Sequence, residues 1–389
     1  MLVPLVDATA RTCGGKAATL GALVRAGHPV PDGFLVPFDA YLAAGSRVGD
    51  PLPDDLRAAL AQALGALGDP PVAVRSSADD EDTARASAAG QYETVLGVQG
   101  ADQVSDAIRT CWASLHSAAA VAYRAAAGAT RPERPAMGVL VQRLVDAQVS
   151  GVMFTPSGPD QSTEIEASWG LGTSVVGGTV TPDSYRVTAG TVVTRRIADK
   201  RTRVDRTGTS LVRGPVADGD RDRGALDDAT VIRLAELGNR VAAVLGGGQD
   251  IEWVLADGVL WVVQARAVTV QLPAPPGPDT PRAALTGTPG SRGTTTGTAR
   301  VVRGPADFAR VRPGDILVCP WTDPGWTPLL AIVAGVVTQT GGMLSHAAIV
   351  ARERGIPAVL GVPDAMTTVR DSTTIAIDGA TGTVTTTEG

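Results

Sequence analysis

The sequence predicts a mixed α/β chain, α+β in layout, folded as two domains on either side of a proline-rich linker. Three observations carry this reading. The chain has 389 residues, more than one ordinary hydrophobic core holds. Residues 271–286, QLPAPPGPDTPRAALT, contain five prolines, at 273, 275, 276, 278 and 281. Such a segment is extended and semi-rigid, and at ~3.1 Å per residue it spans on the order of 50 Å. On both sides of it, short apolar runs alternate with Ala-rich helical stretches. The expected boundaries are 1–270 for the first domain, 271–286 for the linker and 287–389 for the second domain.

In the first domain, residues 16–26 read as a helix following Cys13-Gly14-Gly15, and 72–74 as a strand ending at Arg75-Ser76-Ser77. Residues 104–127 are Ala-rich and helical. Residues 137–145 and 149–154 read as adjacent strands, and 251–255 with 259–263 as a hairpin around Asp257-Gly258. In the second domain, 316–319 and 336–339 read as strands, and 325–334 and 346–354 as helices.

Composition excludes several classes. Hydrophobic residues make up 44% and charged residues 19%, as in folded soluble proteins. A net charge of −6 gives no polyanion-binding surface, so no nucleic acid is expected as partner. The acidic run Asp79-Asp80-Glu81-Asp82 reads as a solvated loop. No signal peptide is visible, and no apolar run reaches bilayer length; residues 329–337 are too few. No membrane partner is expected. Cys13, Cys111 and Cys319 are scattered, without metal or disulfide spacing, which fits a cytoplasmic location. With only His28, His116 and His346, a histidine-based metal site is not expected.

The most informative segment is 340–361, TGGMLSHAAIVARERGIPAVLG. It sets His346 after a Gly-Gly turn at the start of a short helix, with Ser345 as N-cap, Gly355 past the C-terminus and Pro357 as the stop. Unpaired N–H groups at a helix start favour phosphate. A neutral imidazole, with an ordinary pKa of ~6.5, is a competent nucleophile near pH 7. The pattern suits a histidine that carries a phosphoryl group.

This segment resembles the phosphohistidine domain of the phosphoenolpyruvate-utilising dikinases, which include phosphoenolpyruvate synthase, pyruvate phosphate dikinase and rifampin phosphotransferase. Two further stretches share the resemblance: GTPGSRGTTTGTARVV (287–302) and ILVCPWTDPGWTPLL (316–330). Asp323, Pro324 and Trp326 are in place, though Asp323 also reads as a helix cap near Gly325. In the first domain, CGGKAATLGAL (13–23), with AGHPVPDGFLV (26–36) following, VAVRSSADDEDTARASAAGQYETVLGV (72–98), EASWGLGTSVVGGTVTPDSYRV (166–187) and DIEWVLADGVLWVVQAR (250–266) resemble that family's ATP-grasp nucleotide domain. The implied architecture is an ATP-grasp domain joined to a swivelling β/β/α phosphohistidine domain.

The resemblance implies that Lys16 and Arg75 contact ATP phosphates, that the loop 84–93 closes over them, and that the backbone of Gln142-Arg143-Leu144 meets the adenine edge. It implies that Glu252 and Gln264 hold one Mg²⁺ and that Arg266 reaches a phosphate from the same face. Carboxylate and amide oxygens are hard donors that suit this ion. A strict two-residue Asp257-Gly258 turn would point Glu252 and Gln264 to opposite faces. A three-residue loop, Ala256-Asp257-Gly258, would bring them together and is the expected arrangement. The alternative for Glu252 is a simple ion pair with Arg266.

The implied reaction passes the β-phosphoryl group of ATP through His346 to a small-molecule acceptor, a hydroxyl or carboxylate, with release of AMP and phosphate. Leu344 stands where pyruvate phosphate dikinase has threonine and rifampin phosphotransferases have leucine. That leans the chain toward the antibiotic-modifying branch and a secondary-metabolite acceptor. The acceptor-binding module of the larger family members has no counterpart in the sequence. Three readings follow: a stand-alone phosphotransferase, one subunit of a split synthase whose acceptor domain is a separate polypeptide, and a non-catalytic nucleotide-binding protein.

Overall fold

The computed structural model describes residues 1–44, 50–78, 92–117, 120–121, 135–157, 161–268 and 285–386. The expected loop at 84–91, the expected helix at 118–119 and 122–127, and the linker at 271–284 lie outside the described residues.

Helix α1 (Gly15–Arg25) starts at the second glycine of the Gly14-Gly15 pair and buries Ala17, Leu20 and Leu23, one apolar stripe at helical spacing. It shares a core with two antiparallel sheets. The first has the order β1-β2-β5-β3-β4, from β1 (Val3–Pro4), β2 (Gly33–Val36), β3 (Val72–Ala78), β4 (Thr94–Val98) and β5 (Met137–Arg143). β5 takes the centre because its sequence is apolar on both faces and buried through Gln142. Helices α2 (Asp54–Ala66) and α3 (Gly100–Ser114) cover the far side through Leu60, Leu64, Ile108 and Trp112.

The second sheet contains β6 (Val149–Phe154), β7 (Ser162–Trp169), β8 (Asp183–Thr188), β9 (Thr191–Arg196), β12 (Gln249–Ala256) and β13 (Val259–Ala267), ordered β13-β12-β6-β7-β8-β9. A separate hairpin, β10 (Thr202–Thr207) with β11 (Ser210–Pro215), adds a two-stranded sheet. Helix α4 (Thr173–Val176) is one short turn after β7. Helix α5 (Asp228–Leu245) starts where the Asp227 side chain accepts the Thr230 N–H, and lays Val231, Leu234, Leu237 and Val241 on the core.

The expected adjacency of 137–145 and 149–154 does not hold. β5 lies in the first sheet and β6 in the second. Both strands are buried on both faces, so each takes an interior place in its own sheet, and residues 144–148 cross from one to the other.

The remaining residues form a mixed eight-stranded sheet ordered β14-β21-β20-β16-β17-β18-β19-β15. Its strands are β14 (Leu285–Thr286), β15 (Thr288–Ser291), β16 (Thr294–Val301), β17 (Ile316–Cys319), β18 (Gly335–Thr338), β19 (Ala358–Leu360), β20 (Thr374–Asp378) and β21 (Thr383–Thr386). β16 to β19 run parallel. Helix α6 (His346–Arg354) crosses from β18 to β19 and packs Ala347, Ala348 and Ala351 on the sheet. Gly355 ends it in the left-handed conformation, at φ 66°. Leu285 and Thr286, expected in the linker, pair with β21 instead. The helix expected at 325–334 is shorter: a 3₁₀ turn at Pro324–Trp326 and one α turn at Thr327–Leu330, because the chain must re-enter the sheet at Gly335. Among the described residues, no helix is long and apolar enough to cross a membrane.

The β12–β13 hairpin corrects one expectation and meets its purpose by another route. Its turn has two residues: Ala256 pairs with Val259, and Asp257 and Gly258 take φ 50° and 76°. Positive φ at both central positions suits Asp-Gly. Glu252 nevertheless lies directly opposite Gln264, because the register shifts between Glu252 and Trp253. Val263 is the extra residue of this β-bulge, so the face is restored in mid-strand and not at the loop.

Candidate active site

A cleft of about 300 Å³ opens between the two antiparallel sheets. Lys16, Arg75, Gln142, Arg143, Leu144, Glu252, Gln264 and Arg266 all line it. These eight positions come from four separate stretches of the sequence, which the fold gathers.

Lys16 sits in the first turn of α1, buried in the cleft wall. The helix start itself is partly engaged, since the Ser77 hydroxyl oxygen accepts the Ala17 N–H at 3.2 Å. Arg75 leaves β3 and crosses to the opposite sheet. Its Nη1 donates to Gln264 Oε1 at 3.4 Å and lies 3.7 Å from Glu252 Oε2. Its Nε is buried with no partner among the described residues, which leaves one donor of a cation unmet in the cleft. Glu252 and Gln264 therefore turn two hard oxygens toward one positive group. That donor set fits a divalent cation shared with phosphate oxygens. Among the described residues, no group of three or more His, Cys, Asp or Glu side chains is placed to hold a metal alone.

Arg266 lines the cleft with Glu252 and Gln264, and its guanidinium is paired within the protein. Asp250, directly across the hairpin, accepts from its Nε at 2.9 Å and lies 2.8 Å from its Nη2. The alternative pair of Glu252 with Arg266 is not formed either; Glu252 faces Arg75. The three residues expected to meet adenine also line the cleft. The Arg143 and Leu144 N–H groups donate to the Asp32 and Pro71 carbonyls, and the Gln142 side-chain amide donates to the Pro31 carbonyl. These donors are engaged within the protein.

His346 does not line the cleft. It starts α6, is 6% exposed, and its Nδ1 lies 2.9 Å from the Thr322 hydroxyl. Its Nε2 is buried with no partner among the described residues. Burial lowers its pKa to about 4, partly offset by Asp323, so the ring is neutral at physiological pH. Ser345 occupies the N-cap position, but its hydroxyl donates to the Gly342 carbonyl and caps nothing. Asp323 does act as a cap, accepting the Gly325 N–H at 2.8 Å.

The loop before His346 rests on the second sheet. Glu166, on β7, accepts the Met343 N–H at 2.6 Å and the Leu344 N–H at 3.2 Å. Burial pushes this carboxyl up to about 7, against the pull of those two donors and of Arg352. Leu344 inserts among Val152, Phe154, Val175 and Val180. The Thr340 hydroxyl donates to the Gly178 carbonyl at 2.7 Å, and Val176 and Gly177, just before it, line the cleft. The loop that leads into His346 thus rests beside the cleft rim at Gly178.

A family model described as the pyruvate phosphate dikinase AMP/ATP-binding domain matches residues 44–280. A second, the PEP-utilising enzyme mobile domain, matches 311–382. The chain belongs to the phosphoenolpyruvate-utilising dikinase family. The two bodies of sheet are accordingly the family's AMP/ATP-binding domain and its mobile domain. Among curated relatives, a probable phosphoenolpyruvate synthase of Methanothermobacter thermautotrophicus is 34% identical over 95% of this chain and 61% of that protein. The phosphoenolpyruvate synthase of Aeropyrum pernix is 34% identical over 98% of this chain and 56% of that one. That of Pyrococcus furiosus is 39% identical over 80% and 40%. The chain therefore spans between two fifths and three fifths of these relatives' lengths. They are named as synthases and lend no support to the lean toward antibiotic modification drawn from Leu344, whose side chain is explained by its apolar seat.

Sequence reasoning assigned no role to Glu166, Asp250 or Thr322. Glu166 and Asp250 each open a motif of the dikinase family, EASWGLG and DIEW, and Glu166 lies in a strand buried almost throughout. A carboxylate in such a run needs donors, and that was the available signal.

Two predictions follow from this geometry. Removing the Arg75 cation with Arg75→Met leaves Glu252 without its facing charge, and ATP affinity measured by calorimetry should fall at least tenfold while the fold is retained by circular dichroism. The second concerns pH. Because the folded-state pKa of His346 is lowered from 6.5 to about 4, the unfolded chain binds the proton first between those values. The neutral ring's contribution to stability is present above about pH 6.5 and is lost as pH falls toward 4. Denaturant unfolding should show wild type losing stability relative to His346→Gln across that window, and parallel curves would contradict the buried neutral ring.

Proposed function

We propose that the chain is the ATP-using, phosphohistidine-bearing part of a phosphoenolpyruvate-synthase-type phosphotransferase. The observation that carries this reading is the convergence of Lys16, Arg75, Glu252 and Gln264 on one cleft, with a neutral histidine on a loop docked at its rim. ATP is the substrate of the first step. Lys16 and Arg75 offset charge on the transferring phosphoryl oxygens, the main catalytic task in such chemistry. Glu252 and Gln264 would hold Mg²⁺, which when bound neutralises phosphate charge.

In the tautomer whose Nδ1–H donates to the Thr322 hydroxyl oxygen, 2.9 Å away, the lone pair of His346 Nε2 is the nucleophile. A bond forms between Nε2 and the β-phosphorus as the bond from that phosphorus to the α–β bridging oxygen breaks, and AMP leaves. The terminal phosphoryl group then passes to water or orthophosphate. The remaining phosphoryl group leaves Nε2 for a small-molecule acceptor. Because Nε2 is covered in this structure, the loop or the ring must shift before either transfer. The chain matches 61% and 56% of the lengths of two such synthases, and an acceptor site supplied from outside the matched residues is part of the proposal.

Incubation with ATP labelled at the β position tests this directly. The expected result is acid-labile label on His346, AMP as product, and no label in His346→Ala. ADP as the only nucleotide product would point to an ordinary kinase. Thr322→Val should slow labelling of His346 at least tenfold without changing ATP affinity. Glu252→Ala should abolish the Mg²⁺ dependence of ATP binding, read as the difference in affinity with and without a chelator.

A further inference from the structure

Glu166 is a carboxylate in the middle of β7, 2% exposed, whose two oxygens both face another body of the protein. It makes no part of the cleft lining. Its partners are the consecutive N–H groups of Met343 and Leu344, which close the turn that leads into His346. Gly342 shows how tightly this fits. A Cβ built there would lie 2.2 Å from Glu166 Oε1 and 2.5 Å from Oε2. No side chain of any kind can stand at 342 while the carboxylate is in place. Gly342 has no positive φ, so its need for glycine is the close approach and not its backbone conformation.

The surrounding contacts point the same way. Leu344 fills an apolar socket on the second sheet, and Thr340 Oγ1 donates to the Gly178 carbonyl. On the loop's own side, Arg352 Nη1 donates to the Met343 carbonyl at 2.7 Å, so the turn is held from both faces. Farther out, the Arg213 guanidinium of β11 lies 5.9 Å from the Trp321 ring centre, next to the Thr322 that meets His346.

We infer that Glu166 is a positioning residue: its carboxylate receives the 342–344 turn and seats the phospho-accepting loop at the rim of the nucleotide cleft. Gly342, the second glycine of the pair before His346, is then a recognition feature for this carboxylate. The inference rests on the phosphohistidine reading above for its catalytic consequence, but the seat itself is a contact that can be measured without chemistry.

The test uses the full chain with Glu166→Ala, Glu166→Gln, Gly342→Ala and the Glu166→Ala/Gly342→Ala double variant. Hydrogen exchange at the Met343 and Leu344 amides reports the seat, calorimetry with ATP and Mg²⁺ reports the cleft, and β-label on His346 reports transfer. The expected result is at least tenfold faster exchange at 343–344 in Glu166→Ala and in Gly342→Ala. Labelling of His346 should slow at least tenfold with ATP affinity unchanged. Glu166→Gln, which keeps one acceptor oxygen, should fall between wild type and Glu166→Ala and serves if the alanine variant does not fold. The double variant should be no worse than the more impaired single one, since both remove the same contact. Unchanged exchange, additive losses, or a parallel fall in ATP affinity would each overturn the inference. If wild type takes no label, the phosphotransfer reading fails while the exchange data still decide the seat.

Discussion

The Arg75 guanidinium spans the gap between two sheets, and the cleft depends on that crossing. Residues 75 and 264 are nearly two hundred positions apart, yet their side chains meet because β3 and β13 face one another across the opening. A lone guanidinium in a partly dry cleft would be costly. Here Glu252 and Gln264 supply oxygens on one side, while the buried Nε remains unmet. The same arrangement stabilises the cation without substrate, and in the proposed function it offers that cation to phosphate oxygens and the two oxygens to a metal.

The second constraint is burial at the mobile domain. His346 is kept uncharged by its surroundings, whereas Glu166 opposite the preceding turn is buried only because two amides and Arg352 meet it. Burial disfavours the charged form in both, and the consequences differ. For the imidazole, loss of charge preserves the lone pair that nucleophilic attack requires. For the carboxylate, two backbone donors tie the loop to the nucleotide domain.

Much of this was legible in the chain. Helix α6 follows from the Ala-rich run and Gly355, and its observed span is the expected one, although the Ser345 side chain does not cap it. The eight cleft residues were visible as motifs, and the structure places them on one surface. What the sequence hid was pairing. The 137–145 and 149–154 runs look alike as neighbouring strands, since an apolar stretch buried on both faces carries no mark of its sheet. Arg266 could answer to Glu252, to Asp250 or to a ligand, and only the register of the hairpin selects Asp250. Glu166 stayed hidden because its partners are main-chain amides, which every residue but proline possesses.

The bulge at Val263 separates the hairpin into two independent phases. From the tip to Val262, face follows from the two-residue turn; from Gln264 to the base, it follows from the bulge. The tip can therefore drift in length or composition over evolutionary time, or accept a grafted peptide, while the oxygens of Glu252 and Gln264 keep their mutual aim.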